Sequence, residues 1–270
     1  MYNEKMMSAR IARIQAIGDV LAVALLLGYA WLAGGAAGGS GSALDPVWAA
    51  ARVRGNLRVA VDVGFRPFVD QRGGELVGYD VDLARAVAEE LGLRAEFLPV
   101  GFDALYSALV SRQADMIASA LPYAPEEGER ARFSSFYFDA GQVLLVPDGS
   151  PITGAVDLVG RRVGVALGSD ADALARRMTG IDLRSTYDES AQAIADLRAG
   201  RLDAVICDNV SALGAAQSTS GLRIAAALST QPYVLAVPTS AFQLQAEVNR
   251  ALDKLRAAGL FETLNRRWLR

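Results

Sequence analysis

Histidine is absent from the 270 residues. A Ser-His-Asp triad, a Cys-His dyad and any histidine-ligated metal are therefore excluded. One cysteine, Cys207, cannot close an internal disulfide, and its apolar surroundings at 202–207 read as a buried, unreactive thiol. Lysine is nearly missing too, with only Lys5 and Lys254 against many arginines, and no function is read from that bias. No basic run follows the N-terminus and the net charge is −3, which argues against nucleic acid as a partner. Nothing in the residue pattern asks for a cofactor or a metal.

What is present is apolar and long enough to fold. Hydrophobic residues make up 52% of the chain, sufficient for one large or two medium domains with real cores. Lys5, Arg10 and Arg13 precede an uncharged apolar run over 20–39, and a Gly/Ser-rich stretch of the flexible kind follows to about 43. Residues 1–43 thus read as a secretory signal or as an uncleaved membrane anchor plus linker. The basic flank keeps the N-terminus in the cytoplasm. No cysteine directly follows the apolar core, so a lipid anchor is excluded. Under either reading the rest of the chain is exported, and it touches the membrane only if the segment stays uncleaved.

From residue 57 the pattern alternates strand and helix. Apolar residues at Val81, Leu83, Ala84, Val87, Ala88 and Leu91 keep helical spacing, and 102–112 reads as a second helix. The stretch 115–134 begins as a buried strand at Met116-Ile117-Ala118 and turns through Pro122. Pro125 then suits the first turn of a short helix, with Glu126 and Glu127 where the helix dipole favours anions. The alternation occurs twice, over 57–138 and 162–228, each running strand, helix, strand, helix, strand. In both, a helix ends in a short turn before an aspartate and a buried strand: Asp115 in the first, Asp203 in the second. Lone strands at 143–146 and 234–237 suggest two crossings between two lobes. The predicted fold is α/β, a two-lobed clamp, each lobe a mostly parallel sheet with flanking helices. Lobe 1 is assigned 44–144 and 232–270, and lobe 2 is assigned 145–231. A cleft between lobes is a preferred place for a ligand.

At this point the residues resemble a known family. Gly78-Tyr79-Asp80-Val81-Asp82-Leu83, Phe133-Ser134, the strand at 141–146, Gly168-Ser169 and the segment 197–208 are similar to the polar amino acid-binding family of bacterial extracellular solute-binding proteins. The resemblance covers about 56–269. It implies a hinged clamp of the periplasmic-binding type that works as a monomer and delivers a small solute to the membrane subunits of an ABC importer. Some relatives are sensor modules and a few are dehydratases. By position, the resemblance implies a site with an aromatic in the first loop (Phe65), a residue opening the second helix (Phe102), and backbone and hydroxyl groups from 115–134, including Ser119. It also implies an arginine clamping the ligand's α-carboxylate, a Gly-Ser/Thr-Thr turn, and an aspartate (Asp208) that holds the α-ammonium.

The sequence departs from that pattern at the clamp. Counted without gaps from Asp115 to Phe133, the arginine position holds Glu127, the hydroxyl positions hold Pro122 and Ala124, and the turn Gly168-Ser169-Asp170 ends in an acid. Three carboxylates, Glu127, Asp170 and Asp208, are thereby expected at one cleft with Ser169, beside Phe65, Phe102 and Tyr123. Crowded desolvated acids call for a counter-charge. Aromatic faces add roughly 0.5–2 kcal/mol each to holding a cation. The expected solute is cationic: an amine, a guanidine or a basic amino acid. Three alternatives stay open. Arg130 or Arg66 restores an ordinary amino acid clamp, Glu127 pairs with Arg130 or caps its own helix, or Asp208 is simply a helix N-cap. Asp62, Asp80 and Asp82 read as structural, with Asp80 as an N-cap. An enzyme of the cyclohexadienyl dehydratase type, or a sensor module that works through a partner chain, remains as a further alternative.

Overall fold

The computed structural model describes residues 45–218 and 221–269, so the signal and anchor readings of 1–43 lie outside the described residues. The first element, the helix Pro46–Arg54, was not assigned from the sequence. Its signal is Asp45-Pro46. Asp45 Oδ1 accepts from the Trp48 N–H at 2.5 Å, and Pro46 takes the first turn, where a missing N–H costs nothing. The other oxygen of Asp45 accepts from the N–H groups of Gln243 and Leu244 at 2.8 and 2.9 Å. One carboxylate thus satisfies the starts of two helices.

The strands in chain order are β1 (Asn56–Val61), β2 (Asp70–Arg72), β3 (Glu75–Val77), β4 (Arg94–Pro99), β5 (Met116–Pro122), β6 (Ala131–Phe133) and β7 (Phe138–Asp139). They continue as β8 (Gln142–Pro147), β9 (Arg162–Ala166), β10 (Asp182–Tyr187), β11 (Ala204–Asp208), β12 (Leu222–Ala227) and β13 (Pro232–Pro238). β2 and β3 form a small hairpin around Gly73 and Gly74, whose φ values of 58° and 87° suit glycine. One sheet has the order β4-β1-β5-β13-β6, with β7 also on β13, and the other has the order β10-β9-β11-β8-β12.

Both sheets are mixed. β1 runs parallel to β4 and β5, and β9 runs parallel to β10 and β11. β13 is antiparallel to β5, β6 and β7, and β8 is antiparallel to β11 and β12. The reason lies in the connections. Parallel neighbours need a helical crossover, and helices intervene between β1, β4 and β5 in one lobe and between β9, β10 and β11 in the other. β8 and β13 instead enter directly from the other sheet, so nothing obliges them to run parallel. β8 lies wholly in the second sheet, so the chain leaves the first sheet after Asp139 rather than at 144, and it returns at Pro232.

The central strands bury both faces, which explains their continuous apolar runs. Val59, Val61, Met116 and Leu235 face the helices Tyr79–Glu90 and Phe242–Ala257, while Ala60, Ile117, Val234 and Ala236 face the helix Leu105–Val110. The second sheet repeats this, with Val143, Leu145, Val205 and Cys207 on one side and Leu144, Val163, Val165 and Ile206 on the other. In the helix Phe242–Ala257 the buried residues Leu244, Val248, Ala251, Leu252 and Leu255 form one stripe. The last described helix, Leu260–Trp268, is tied back when Trp268 Nε1 donates to Asp82 at 2.9 Å. Where one helix over 102–112 was expected, a 3-10 turn, Phe102–Ala104, leads into the short helix Leu105–Val110. The turn at Pro125–Glu127 is likewise 3-10.

Candidate functional site

The two crossings are clasped by one side chain. Asp139 Oδ1 accepts from the Gly141 N–H at 2.9 Å on the outgoing crossing and from the Gln231 N–H at 2.8 Å on the returning one. The Ala140 N–H donates to the Gln231 carbonyl at 2.9 Å, and the Gln142 N–H donates to Ser229 Oγ at 2.8 Å. The strands run so close that a Cβ on Gly141 would stand 2.3 Å from the Ser229 carbonyl oxygen. Asn209, which opens the helix Asn209–Ser218, donates through Nδ2 to the Asp139 carbonyl at 2.7 Å and through its N–H to Gly141 at 3.0 Å. That helix starts against the crossing, and its Val210 and Leu213 pack on the core of the first sheet.

This placement brings Asp208 beside the crossing, opposite Gln142 in the ladder between β11 and β8. Its carboxylate accepts from the Ser211 N–H at 2.8 Å and from the Ser211 hydroxyl at 2.7 Å, so Asp208 caps the helix that follows. Its charge also reaches the first lobe. Burial raises the phenol of Tyr233 on β13 to about 12, and the charges of Asp80 and Asp208 push the same way.

Gln142 also lines a cavity of about 280 Å³ with Asp170, Arg177, Ser229, Thr230 and Gln231. Asp170 is exposed, opens the helix Asp170–Ala175 and has no ion-pair partner among the described residues. Ser169 is committed to that helix: its hydroxyl donates to the Ala166 carbonyl at 2.7 Å and accepts from the Asp172 N–H at 3.2 Å. Asp172 is the densely bonded acid here. The Gly168 N–H, with Arg176 and Ser185, holds its carboxyl below the usual range against the opposing effect of burial.

On the first lobe, Phe65 is half exposed and stacks on buried Phe68 at 5.9 Å, and Phe102 stands exposed at the start of its turn. Ser119 is buried, and its hydroxyl accepts from the Asp62 N–H at 2.8 Å. The next residue, Ala120, adopts a left-handed φ of 45° on β5, and its N–H donates to Asp80. Asp80 is therefore not an N-cap. The helix Tyr79–Glu90 starts after Gly78, and the Asp80 side chain crosses to β5 instead. Burial lifts its carboxyl to about 7, against the partial relief of the Ala120 N–H and Tyr137.

The carboxylates expected in one cluster are not equivalent. Glu127 pairs with Arg130 at 3.1 Å, and that guanidinium lies 5.1 Å over the Tyr106 ring. Arg66 pairs with Asp70 at 3.1 Å. Asp170 and Asp208 share Gln142 as a neighbour. No three acidic or thiol side chains among the described residues converge as metal ligands would. Tyr123 packs edge-on to Phe133 at 5.3 Å and lines a separate, larger cavity at the sheet edge. Sequence reasoning missed Asp139, Asn209 and Arg177. The clasp has a faint signal, Asp139-Ala140-Gly141 before a lone strand, since glycine there permits close backbone approach.

The profile of the bacterial extracellular solute-binding proteins, family 3, matches residues 57–270. The chain belongs to this family. Among its relatives is the L-cystine-binding protein TcyJ of Escherichia coli K12, 31% identical over 221 residues, which are 80% of this chain and 83% of that one. The arginine-binding extracellular protein ArtP of Bacillus subtilis 168 is 28% identical over 225 residues, 78% of this chain and 85% of that one. A crystal structure of an ancestral cyclohexadienyl dehydratase superimposes with a TM-score of 0.71 at 26% identity, covering 82% of this chain and 95% of that one. The two sheets of this solute-binding protein, with their two crossings, are the two lobes of a periplasmic-binding clamp.

Proposed function

We propose that this chain is an exported solute-binding protein that delivers a cationic, nitrogen-containing solute to the membrane subunits of an ABC importer. The solute is an amine, a guanidine or a basic amino acid. One observation carries the reading. Asp170 lines the cavity at the crossing without a cationic partner, and Asp208 lies across Gln142 from it, while Arg66 and Arg130 are held by Asp70 and Glu127. The position where the family clamps a carboxylate holds Glu127 in place of arginine, Arg177 is the cation that shares the cavity with Asp170, and the side that would grip an ammonium keeps its acids. The arginine-binding relative agrees with this reading. Glu127 contributes chiefly by not being arginine, because its own charge is spent on Arg130.

Solute would bridge the lobes by meeting Asp170 and Asp208 from one side and the Phe65 and Phe102 rings from the other. It favours closure only to the extent that it binds the closed form better, about 1.4 kcal/mol per tenfold of preference. Calorimetry on residues 44–270 with L-arginine, agmatine and L-glutamine tests the assignment. Agmatine, which lacks the α-carboxylate, is expected to bind within about tenfold of arginine, and glutamine much more weakly. Tight binding of glutamine with none of agmatine would overturn it.

The dehydratase neighbour supports a second reading, as a lyase. Acid-base chemistry needs a carboxyl of raised pKa that the substrate can reach. The carboxyl with a raised value here, Asp80, is fully buried. Turnover of prephenate would reverse the order of the two readings.

A further inference from the structure

We propose that the outer edge of the first lobe holds a second ligand site, for a small aromatic carboxylate, separate from the solute site at the crossings. The cavity there measures about 670 Å³, against about 280 Å³ beside Asp170. It lies where β6 closes the sheet, between the loop after Tyr123 and the helix Phe242–Ala257, which contributes Gln245.

Its walls are aromatic. Tyr123 meets Phe133 edge-on at 5.3 Å and Phe136 at 5.5 Å, and Tyr123 and Phe136 remain 43% and 52% exposed. A flat ring laid on such a shelf gains offset or edge-to-face contact as well as burial.

The charge of the site selects the sign of the ligand. Arg132 lines the cavity, and its Nε–H donates to the Thr239 carbonyl at 2.5 Å, which orients one edge of the guanidinium, while its Nη groups have no partner among the described residues. No carboxylate lines the cavity, and Arg132 has no acidic partner among the described residues. The Ser135 and Thr239 hydroxyls, which also line the cavity, have no partner among the described residues. A guanidinium fork is matched bidentately by a carboxylate, and a cation would be repelled. Ring plus carboxylate is the combination that uses both halves. The site shares no lining residue with the cavity at the crossings.

Calorimetry and thermal shift with indole-3-acetate and benzoate as probes test it, with tryptamine, benzylamine and acetate as comparators. The aromatic acids are expected to bind and to raise Tm, while the aromatic amines and acetate do not. Arg132→Gln should weaken indole-3-acetate at least tenfold and Phe136→Ala at least threefold, and both should bind L-arginine as the parent chain does. Equal binding of tryptamine and indole-3-acetate would overturn the proposal. So would undiminished binding by both variants, or no response to either acid at millimolar concentration. Both positions are exposed, and Arg132→Lys, which keeps a charge but loses the fork, gives an intermediate affinity if the site is real.

Discussion

Arg58 holds Asp115 through three donors: its backbone N–H at 3.0 Å, Nε at 3.2 Å and Nη2 at 2.8 Å. Arg162 holds Asp203 through the same three, at 2.8, 3.1 and 2.8 Å. The pair ties β1 to the residue just before β5 in one lobe and β9 to the residue just before β11 in the other, so the duplication visible in the sequence extends to single hydrogen bonds. The lobes differ in depth. The Asp115 side chain is 2% exposed and takes a further bond from Arg54, whereas that of Asp203 is 30% exposed. Stranding the partners of a buried ion pair costs about 3–5 kcal/mol, and at the surface about 0–1 kcal/mol. Asp115→Asn should therefore lower unfolding stability by about 3 kcal/mol and Asp203→Asn by about 1 kcal/mol, read from urea midpoints. Equal losses would mean that burial does not set the strength of these pairs.

Asp80 makes stability depend on pH in an unusual direction. Its folded carboxyl titrates near 7 and its ordinary value is 3.8. Between those values the folded chain keeps a proton that the unfolded chain has released. The contribution of Asp80 should thus be full below about pH 4 and fall as pH rises towards 7, with a slope of up to about 1.4 kcal/mol per unit. Asp172, Asp196 and Asp203 have lowered values, so their contributions are lost only at the acid end, outside this window. The groups around Asp80 are the Ala120 N–H and the phenols of Tyr79, Tyr137 and Tyr233, none of which changes charge in this range. Urea unfolding at pH 5, 6, 7 and 8 checks this. Asp80→Asn should flatten the profile, and a parent profile already flat would refute the assignment.

The fold was legible because its signals are local and repeated. Apolar runs such as 202–207, and the paired Asp115 and Asp203, need no knowledge of distant contacts. The site was legible only by position along the chain, and position does not say what a side chain touches. Glu127 faces Arg130 three residues on, a helical-spacing pair that the sequence offered as an alternative without deciding it. Asp80 bonds to a residue forty positions away, so local capping logic misplaced it. Tyr123 belongs to an edge cavity whose other walls come from 128–136, Thr239 and Gln245, a juxtaposition set by β6 pairing with β13.

Gly141 is the place where a single methyl group should disturb the clamp. A Cβ there would meet Ser229 O at 2.3 Å, Ser229 C at 2.7 Å and Thr230 Cα at 2.8 Å. All three are backbone atoms, so no rotamer change relieves them. Gly141→Ala should cost about 1–3 kcal/mol, the usual range for overpacking, and should loosen the Gln142 to Ser229 bond that joins the crossings. Solute affinity should fall together with stability. A variant within about 0.5 kcal/mol of the parent, with unchanged affinity, would show that the crossings can separate freely.

Asp208 and Glu127 can be told apart by pairing a binding measurement with a stability measurement. The Glu127 side chain is 27% exposed and that of Arg130 is 42% exposed, a surface pair of the kind worth about 0–1 kcal/mol. Glu127→Ala should leave Tm nearly unchanged and alter solute affinity less than about threefold if its charge is spent on Arg130. Under the proposed function Asp208 has two roles that substitution can separate. As the cap of the helix Asn209–Ser218 it accepts from Ser211 twice, and asparagine caps about as well as aspartate, whereas alanine loses about 1 kcal/mol. If it also faces a cationic solute, as proposed, its charge has no neutral substitute. Asp208→Asn should therefore keep Tm and lose solute affinity by at least thirtyfold, while Asp208→Ala loses both. If Asp208→Asn binds as well as the parent chain, Asp208 is a cap alone, and the anionic side of the site rests on Asp170.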